Sequence, residues 1–464
     1  MLLRFFRIND PYSLLGILVV LILISLPLFI DPVNITLDEL KMFVLGEILN
    51  QGKSLYAEVL TNTPPLAAWI SGWFDAIFGR SQRASHALSL IIIIIQLSFF
   101  TLILINSRAH HENTYLPGLI FGLLAFYSFD VISLSNELMA STMLLFVLNN
   151  LFKEIEFRIQ RDEIVLNLGL YIGLASLFVF SYAVYLPGVI IIMAIFTRLS
   201  ARKIFLVIFG FMLPHGFLMV IYYMKGNYSA LIQNFYWANL NWQDESSMDA
   251  SSILILCLVP ALFLLLSFFM LNREARLTKY QSQLSQIMFL WVLLAIAEVA
   301  VSSSLKPHQL ITCIPPLSYF ISHYILLIRR KRLAEFTIWL LMISLISTMY
   351  LTRYNRINRV DYSNLFPKPS EHNQILEKRV LILGTDWGLF ETNKMASGFF
   401  DWRLSHSIFT ELDYFDNVVL LDKALRDDAP DIIIDEENKM QHVFRAIPEL
   451  QELYRQDGNL YLRK

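Results

Sequence analysis

Apolar runs of about twenty residues recur along this chain, separated by short polar stretches. A helix needs roughly 20 consecutive apolar residues to cross the hydrocarbon core of a bilayer. By that measure the sequence predicts eleven spans, near residues 12–30, 86–106, 115–132, 136–152, 166–182, 184–198, 203–223, 252–271, 285–304, 309–328 and 334–351. The first run is too long for a signal-peptide core and lacks a small-x-small site, so it reads as an uncleaved anchor. After Tyr350 the pattern changes. Residues 353–464 are mixed and polar, with short β-type runs at 379–384, 417–421, 431–435 and 460–463 and a helical pattern from Lys439 to Tyr454. The expected organisation is a transmembrane domain, 1–352, followed by a small soluble α/β domain, 353–464.

The loop charges predict an orientation. With Arg4 and Arg7 in the cytoplasm, alternate loops hold Arg108; Lys153, Arg158 and Arg161; Arg198, Arg202 and Lys203; Arg273, Arg276 and Lys279; and Arg329 to Arg332. The opposite loops hold only Lys41, Lys53, Arg80, Arg83, Lys225 and Lys306. Cytoplasmic loops of membrane proteins carry the excess of Lys and Arg. The expected molecule is thus a multi-pass protein of the cytoplasmic or inner membrane, N-terminus inside and C-terminal domain outside.

Composition agrees with the span pattern and narrows the function. The chain is 56% hydrophobic and 16% charged, where a soluble domain carries about 25% charge. No basic block with interleaved aromatics occurs outside the short loops, which sets nucleic acid aside. Cys257 and Cys313 both fall in apolar runs without a second cysteine nearby, which argues against a disulfide framework or a zinc site.

The first outer loop is the most informative segment. Thr36-Leu37-Asp38-Glu39 fits a capping box, and Leu37, Leu40, Val44, Leu45, Ile48 and Leu49 follow at helical spacing. Asn50-Gln51-Gly52 ends that helix. Pro64-Pro65 opens a second one, which runs to Phe78 and closes at Gly79. Both are expected to be interfacial helices on the outer membrane surface. Capping engages Thr36 and Glu39, which leaves Asp38 for other work at the boundary where lipid phosphates lie.

This loop resembles the first outer loop of the GT-C membrane glycosyltransferases, in the branch of the protein O-mannosyltransferases and lipid A aminoarabinose transferases (glycosyltransferase family 39). The matching positions are Asp38-Glu39, Gly52 with Tyr56, Pro64-Pro65-Leu66 with Trp69, and Phe78-Gly79. Glu137, entering the fourth span, resembles the family's second carboxylate. "LKPHQLITCIPP" resembles its Lys/Arg-x-His before a Pro-containing span, through Lys306, His308 and Pro315. The charge-based topology puts Asp38, Glu137, Lys306 and His308 on the same outer face. Two departures stand out: His86, with Arg83 a turn earlier, replaces an Arg common in the family, and Ser181-Tyr182 stand where the lipid A branch has a Lys.

The resemblance implies an α-helical polytopic fold of GT-C type, with about 11 transmembrane helices, plus the small α/β domain. It implies a hexosyl or pentosyl transferase that moves a sugar from a polyprenyl-phosphate donor to a lipid, glycan or protein acceptor. Asp38, Glu39 and Glu137 are then the catalytic carboxylates, with Asp38 as base and Glu137 positioning the acceptor or tuning Asp38. Lys306, His308, Arg83 and His86 hold the donor phosphate, and Tyr56, Pro65 and Trp69 contact substrate. A departing polyprenyl phosphate has a second pKa of about 6 and needs no general acid. One base and cations on the phosphate therefore suffice, and a single displacement inverts the anomeric centre. No cofactor is required by this chemistry, and a divalent metal is left open. The rival reading is a transporter or lipid flippase of cell-envelope glycan assembly. Transporters place ionisable residues at mid-membrane, but here Glu298 is the main one and no internal repeat is visible.

Overall fold

The computed structural model describes residues 2–32, 34–156, 161–241, 247–302, 304–357, 359–370, 372 and 374–464. Arg158 and residues 242–245 of the aromatic outer loop lie outside these. Among the described residues, eight helices are long and apolar enough to cross a membrane: Tyr12–Ile30, Gln82–Asn106, Asn136–Ile155, Ala201–Met224, Ala250–Glu274, Lys279–Val301, Pro307–Leu327 and Lys331–Arg353. The other three expected spans are shorter helices, Leu116–Leu124, Asp162–Ser176 and Tyr185–Phe196. Polar residues explain one shortening. Ser128, Asp130 and Ser133 interrupt the run expected over 115–132, and the chain leaves the helix there for a 3₁₀ turn, Phe129–Ile132.

The chain divides into two compact units, which do not follow the compositional boundary at 352/353. The first comprises Met1–Asn34, Gln82–Phe217 and Asp244–Ser363; the second comprises Ile35–Ser81, Leu218–Gln243 and Asn364–Lys464. The first outer loop therefore belongs with the C-terminal residues.

In the first unit, apolar helices pack with a few polar contacts between them, as helices do where lipid gives no hydrophobic drive. Gln96 Nε2 donates to the Leu138 carbonyl at 2.7 Å and to Thr142 Oγ1 at 2.8 Å, and Ser318 Oγ donates to the Pro117 carbonyl at 2.6 Å. Lys203 pairs with the buried Glu154 at 2.6 Å.

The second unit is built on a five-stranded sheet in the order β2-β1-β3-β5-β4, with β1 Arg379–Leu383, β2 Lys394–Met395, β3 Ile432–Asp435, β4 Tyr454–Asp457 and β5 Leu460–Arg463. β1 pairs in parallel with β2 and β3, while β5 runs antiparallel to β3 and β4. Three of the four expected strand runs are strands. The fourth, 417–421, is helical: it lies in Phe415–Asp427. Four consecutive apolar residues cannot by themselves separate strand from helix. Leu421 and Leu425 recur at helical spacing and are fully buried against the sheet, whereas Val419 is 48% exposed. The expected helix over 439–454 is two pieces, Met440–Ala446 and Pro448–Leu453, because Pro448 cannot continue the first.

The first-loop helices form where expected, at Leu37–Asn50 and Pro65–Phe78. Thr36 Oγ1 accepts the Glu39 N–H at 3.3 Å, which is the N-cap half of the capping box. The two helices pack on each other. Phe43 stacks on Phe74 at 5.6 Å, and Asn50 Nδ2 donates to the Gly72 carbonyl at 3.0 Å and to Asp75 at 2.7 Å. The first helix does not lie with an open apolar face, as expected of an interfacial helix, since Leu40, Phe43, Val44, Leu45 and Ile48 are all covered by protein. The second keeps an outward stripe of Trp69, Trp73 and Ile77, four residues apart. Gly46 sets their separation: a Cβ there would stand 2.3 Å from the Ser71 carbonyl oxygen. Gly46→Val should therefore prise the pair apart and destabilise the unit by about 1–3 kcal/mol. Faster proteolysis within 35–81, with the remaining helices intact, is the expected readout.

Candidate active site

In the first unit, three side chains from separate segments converge. Ser135 caps the helix Asn136–Ile155 by accepting the Leu138 N–H, which puts Glu137 in the first turn. Pro307 begins the 3₁₀ turn Pro307–Cys313 and places His308 beside it. The His308 ring lies between two carboxylates, with Nδ1 3.1 Å from Asp130 Oδ2 and Nε2 3.3 Å from Glu137 Oε2. The His308 backbone N–H also donates to Asp130 Oδ2 at 3.1 Å, and Ser128 Oγ donates to Asp130 Oδ1. Tyr127 donates its hydroxyl to the Pro307 carbonyl. Asp130 is 2% exposed, whereas the Glu137 side chain keeps 13% of its surface. The deep carboxylate orients the ring, and the ring orients the shallower one. Only a doubly protonated imidazole can donate to both at once.

Around this cluster, Gln309 Nε2 bridges Ser302 Oγ at 2.9 Å and Ser304 Oγ at 2.8 Å, which pins the approach to the turn just before the half-buried Lys306. Arg83 is exposed in the first turn of Gln82–Asn106. His86, one turn on, is buried and edge-on to Phe29 at 6.1 Å. Glu298 is fully buried and accepts from Ser181 Oγ at 2.7 Å.

In the second unit, Asp38 is half-buried in the first turn of Leu37–Asn50, and Glu39 is 2% exposed. Tyr56 has a different job from substrate contact. It is fully buried at φ +69°, and its hydroxyl donates to the Thr63 carbonyl at 2.7 Å. Its own carbonyl accepts from Asn234 Nδ2 at 2.8 Å, and its ring stacks on Phe235 at 5.9 Å. Tyr56 thereby holds the turn between the two loop helices. The Glu58 carboxylate in that turn accepts the Ser54 N–H and hydroxyl, which holds it below the usual carboxylate range. Pro65 is buried at the start of the second helix, and Trp69 lies on its outward stripe at 40% exposure.

The structure thus brings together Glu137 and His308. It gives His308 two carboxylates as ring partners, where a phosphate contact was expected. Asp130 was missed because it was counted within an apolar run. A lone carboxylate in such a run is costly unless paired, and that is the signal that could have found it. Among the described residues, no group of three or more His, Cys, Asp or Glu is arranged to hold a metal ion.

The architecture is similar to that of solved structures. The crystal structure of ArnT from Cupriavidus metallidurans bound to undecaprenyl phosphate aligns with TM-score 0.54 and 11% identity, over 77% of this chain and 67% of that one. The fold is of the GT-C type. The apo structure of the same ArnT aligns with TM-score 0.50 and 13% identity, over 70% of this chain and 62% of that one. This chain therefore spans about two thirds of the length of these neighbours. No protein-family model matches the sequence, nor does any curated protein. At 11–13% identity the likeness speaks to the fold, and the chemistry rests on the residues.

Proposed function

We propose that this protein is an integral-membrane glycosyltransferase that moves a sugar from a polyprenyl-phosphate donor to an acceptor on the extracytoplasmic face. The observation that carries the reading is the Asp130–His308–Glu137 cluster within a GT-C fold. It presents one partly open carboxylate, Glu137, held by a ring that is itself anchored from below. The undecaprenyl phosphate bound by ArnT supports a polyprenyl-phosphate donor. The loop charges support the N-in orientation and an outer C-terminal domain.

In this mechanism Asp38 takes the proton from the acceptor hydroxyl, and the acceptor oxygen attacks the anomeric carbon. The bond to the donor phosphate breaks as the new bond forms, so the anomeric centre inverts and the polyprenyl phosphate leaves as an anion. Glu137 positions the acceptor, and His308 orients Glu137. Lys306 meets the charge that develops on the leaving phosphate. The exposed Arg83 is available to assist that contact, whereas His86 is buried.

The deciding experiment incubates the purified protein with a panel of polyprenyl-phosphate sugars and follows sugar transfer or release. Transport of the lipid across vesicles without any transfer would instead favour the flippase reading, to which the fully buried Glu298 lends the main support. Lys306→Gln should raise the donor KM and slow turnover, a charged contact being worth on the order of 2 kcal/mol. Lys306→Arg should recover only part of the loss, since it keeps the charge but changes the geometry. A lysine that merely snorkels to the interface would leave both variants at wild-type KM and kcat.

A further inference from the structure

The first loop is not laid on the C-terminal domain; it is built into it. Leu60 donates its N–H to the Gly398 carbonyl at 2.8 Å and accepts the Asp401 N–H at 2.9 Å, while its side chain sits in the sheet's core with Phe399, Trp402 and Phe409. Gly398 allows this approach, because a Cβ there would stand 1.6 Å from the Glu58 carbonyl oxygen. Below this ladder lies an ion cluster centred on the buried Asp428. Lys53 Nζ donates to the Ser397 carbonyl at 2.9 Å and pairs with Asp428. Asp428 is 6% exposed; it also pairs with Arg379 and accepts the Ser397 N–H at 2.9 Å.

A second set of contacts reaches the Asp38 helix itself. Arg80 donates to the Phe390 carbonyl at 2.5 Å, to the Asn393 carbonyl at 3.0 Å and to Glu47 at 2.6 Å. Lys394 pairs with Glu47 at 3.1 Å, and Lys41 Nζ lies 5.3 Å from the centre of the Trp387 ring. Lys394 and Trp387 thus meet the Asp38 helix directly, and Arg80, just past the second loop helix, bridges Phe390 and Asn393 to Glu47 of that helix. A surface docking needs no core residue, no buried carboxylate shared by both segments and no glycine to admit a carbonyl. The arrangement here has all three.

We propose that the C-terminal domain is a positioning element of the transfer site, holding the Asp38 helix through the first loop, with Asp428 as the positioning residue that fastens the loop by way of Lys53. This rests on the glycosyltransferase reading, in which Asp38 is the base. Without Asp428, the largely buried Lys53 and the half-exposed Arg379 would face each other as like charges with no carboxylate between them, and the loop's hold on the domain would loosen. Geometry at a base is unforgiving: a displacement of about 1 Å can cost on the order of 10²-fold in rate.

The test compares the full-length wild type with Asp428→Ala and Lys53→Met in detergent or nanodiscs. Lys53→Met spares the pairing of Asp428 with Arg379 and the Ser397 N–H, and so guards against a variant that simply fails to fold. The expected result for both is about tenfold or more faster amide exchange over residues 37–63, with β1 and β3 still protected. Turnover should fall by about tenfold or more, with the donor KM within about twofold, since the phosphate contacts lie elsewhere. The double variant should be no worse than the poorer single one, because both act through one contact. Unchanged loop protection overturns the proposal, as does a loosened loop with wild-type kcat. Loosened loops in a protein whose wild type transfers no sugar would refute the enzyme reading while leaving the anchoring in place.

Discussion

Asp38→Asn is expected to cut turnover by about 10²-fold or more, while the protein remains folded and inserted in the membrane. The separation of these two effects follows from where Asp38 stands. It is half-buried in the first turn of Leu37–Asn50, and the cap of that helix is made by Thr36 rather than by Asp38. Replacing the carboxylate by an amide of the same shape therefore keeps the Thr36 cap, and the helix-dipole contribution it gives up is about 0.3–1 kcal/mol. Loss of a general base removes far more from the rate. Donor KM should change little, since the donor phosphate meets Lys306 in this mechanism. The measurement is transfer of sugar from a polyprenyl-phosphate donor by variant and wild type at matched thermal stability. Wild-type turnover from a well-folded Asp38→Asn protein would falsify the assignment.

His308→Ala should produce the other large effect, and it should strike stability and activity together. The ring lies between Asp130 and Glu137, at 3.1 and 3.3 Å. Its removal leaves the buried Asp130 carboxylate without its ring partner and Glu137 without the group that aims it. Breaking a buried ion pair from one side costs about 3–5 kcal/mol. The thermal midpoint in detergent should drop by several degrees, and turnover should fall with it. Asp130→Asn separates the two roles. It keeps a hydrogen-bonding group beside His308 but weakens its hold, so turnover should fall further than stability does. A ring that served only to bind the donor phosphate would instead raise the donor KM in both variants and leave the melting point unmoved.

The two predictions draw on different kinds of legibility. Asp38 is a candidate through the resemblance of its loop to the GT-C pattern, while the helix that carries it is legible because the local chemistry is dense: a cap, an apolar periodicity, a Gly stop and a Pro-Pro start within about forty residues. The same density located both loop helices to within a residue or two of their ends. Glu137 and His308 are singled out separately by the same resemblance, each near the head of an apolar run. Their partnership is not, because it depends on Asp130, hidden in a stretch that reads as apolar, and on a 3₁₀ turn that no periodicity announces.

Local patterning alone determined the long apolar helices, the two helices of the first loop, and the strands β1, β3 and β5. It could do so because each is specified by short-range chemistry: length and apolarity for a span, capping and turn residues for a helix end, short aliphatic or aromatic runs for a strand. Tertiary packing decided what those elements were for. It made 417–421 a helix, because Leu421 and Leu425 had a sheet to bury against. It turned Tyr56 from a substrate contact into the post that holds a turn, since a left-handed backbone is sustained only when neighbours such as Thr63 and Asn234 bind it. It joined the first loop to residues over 300 positions away, through Leu60, Gly398 and the Lys53–Asp428 pair. Contacts of that separation leave no trace in a local window, because the entropy of closing so long a loop is offset only when the whole core assembles.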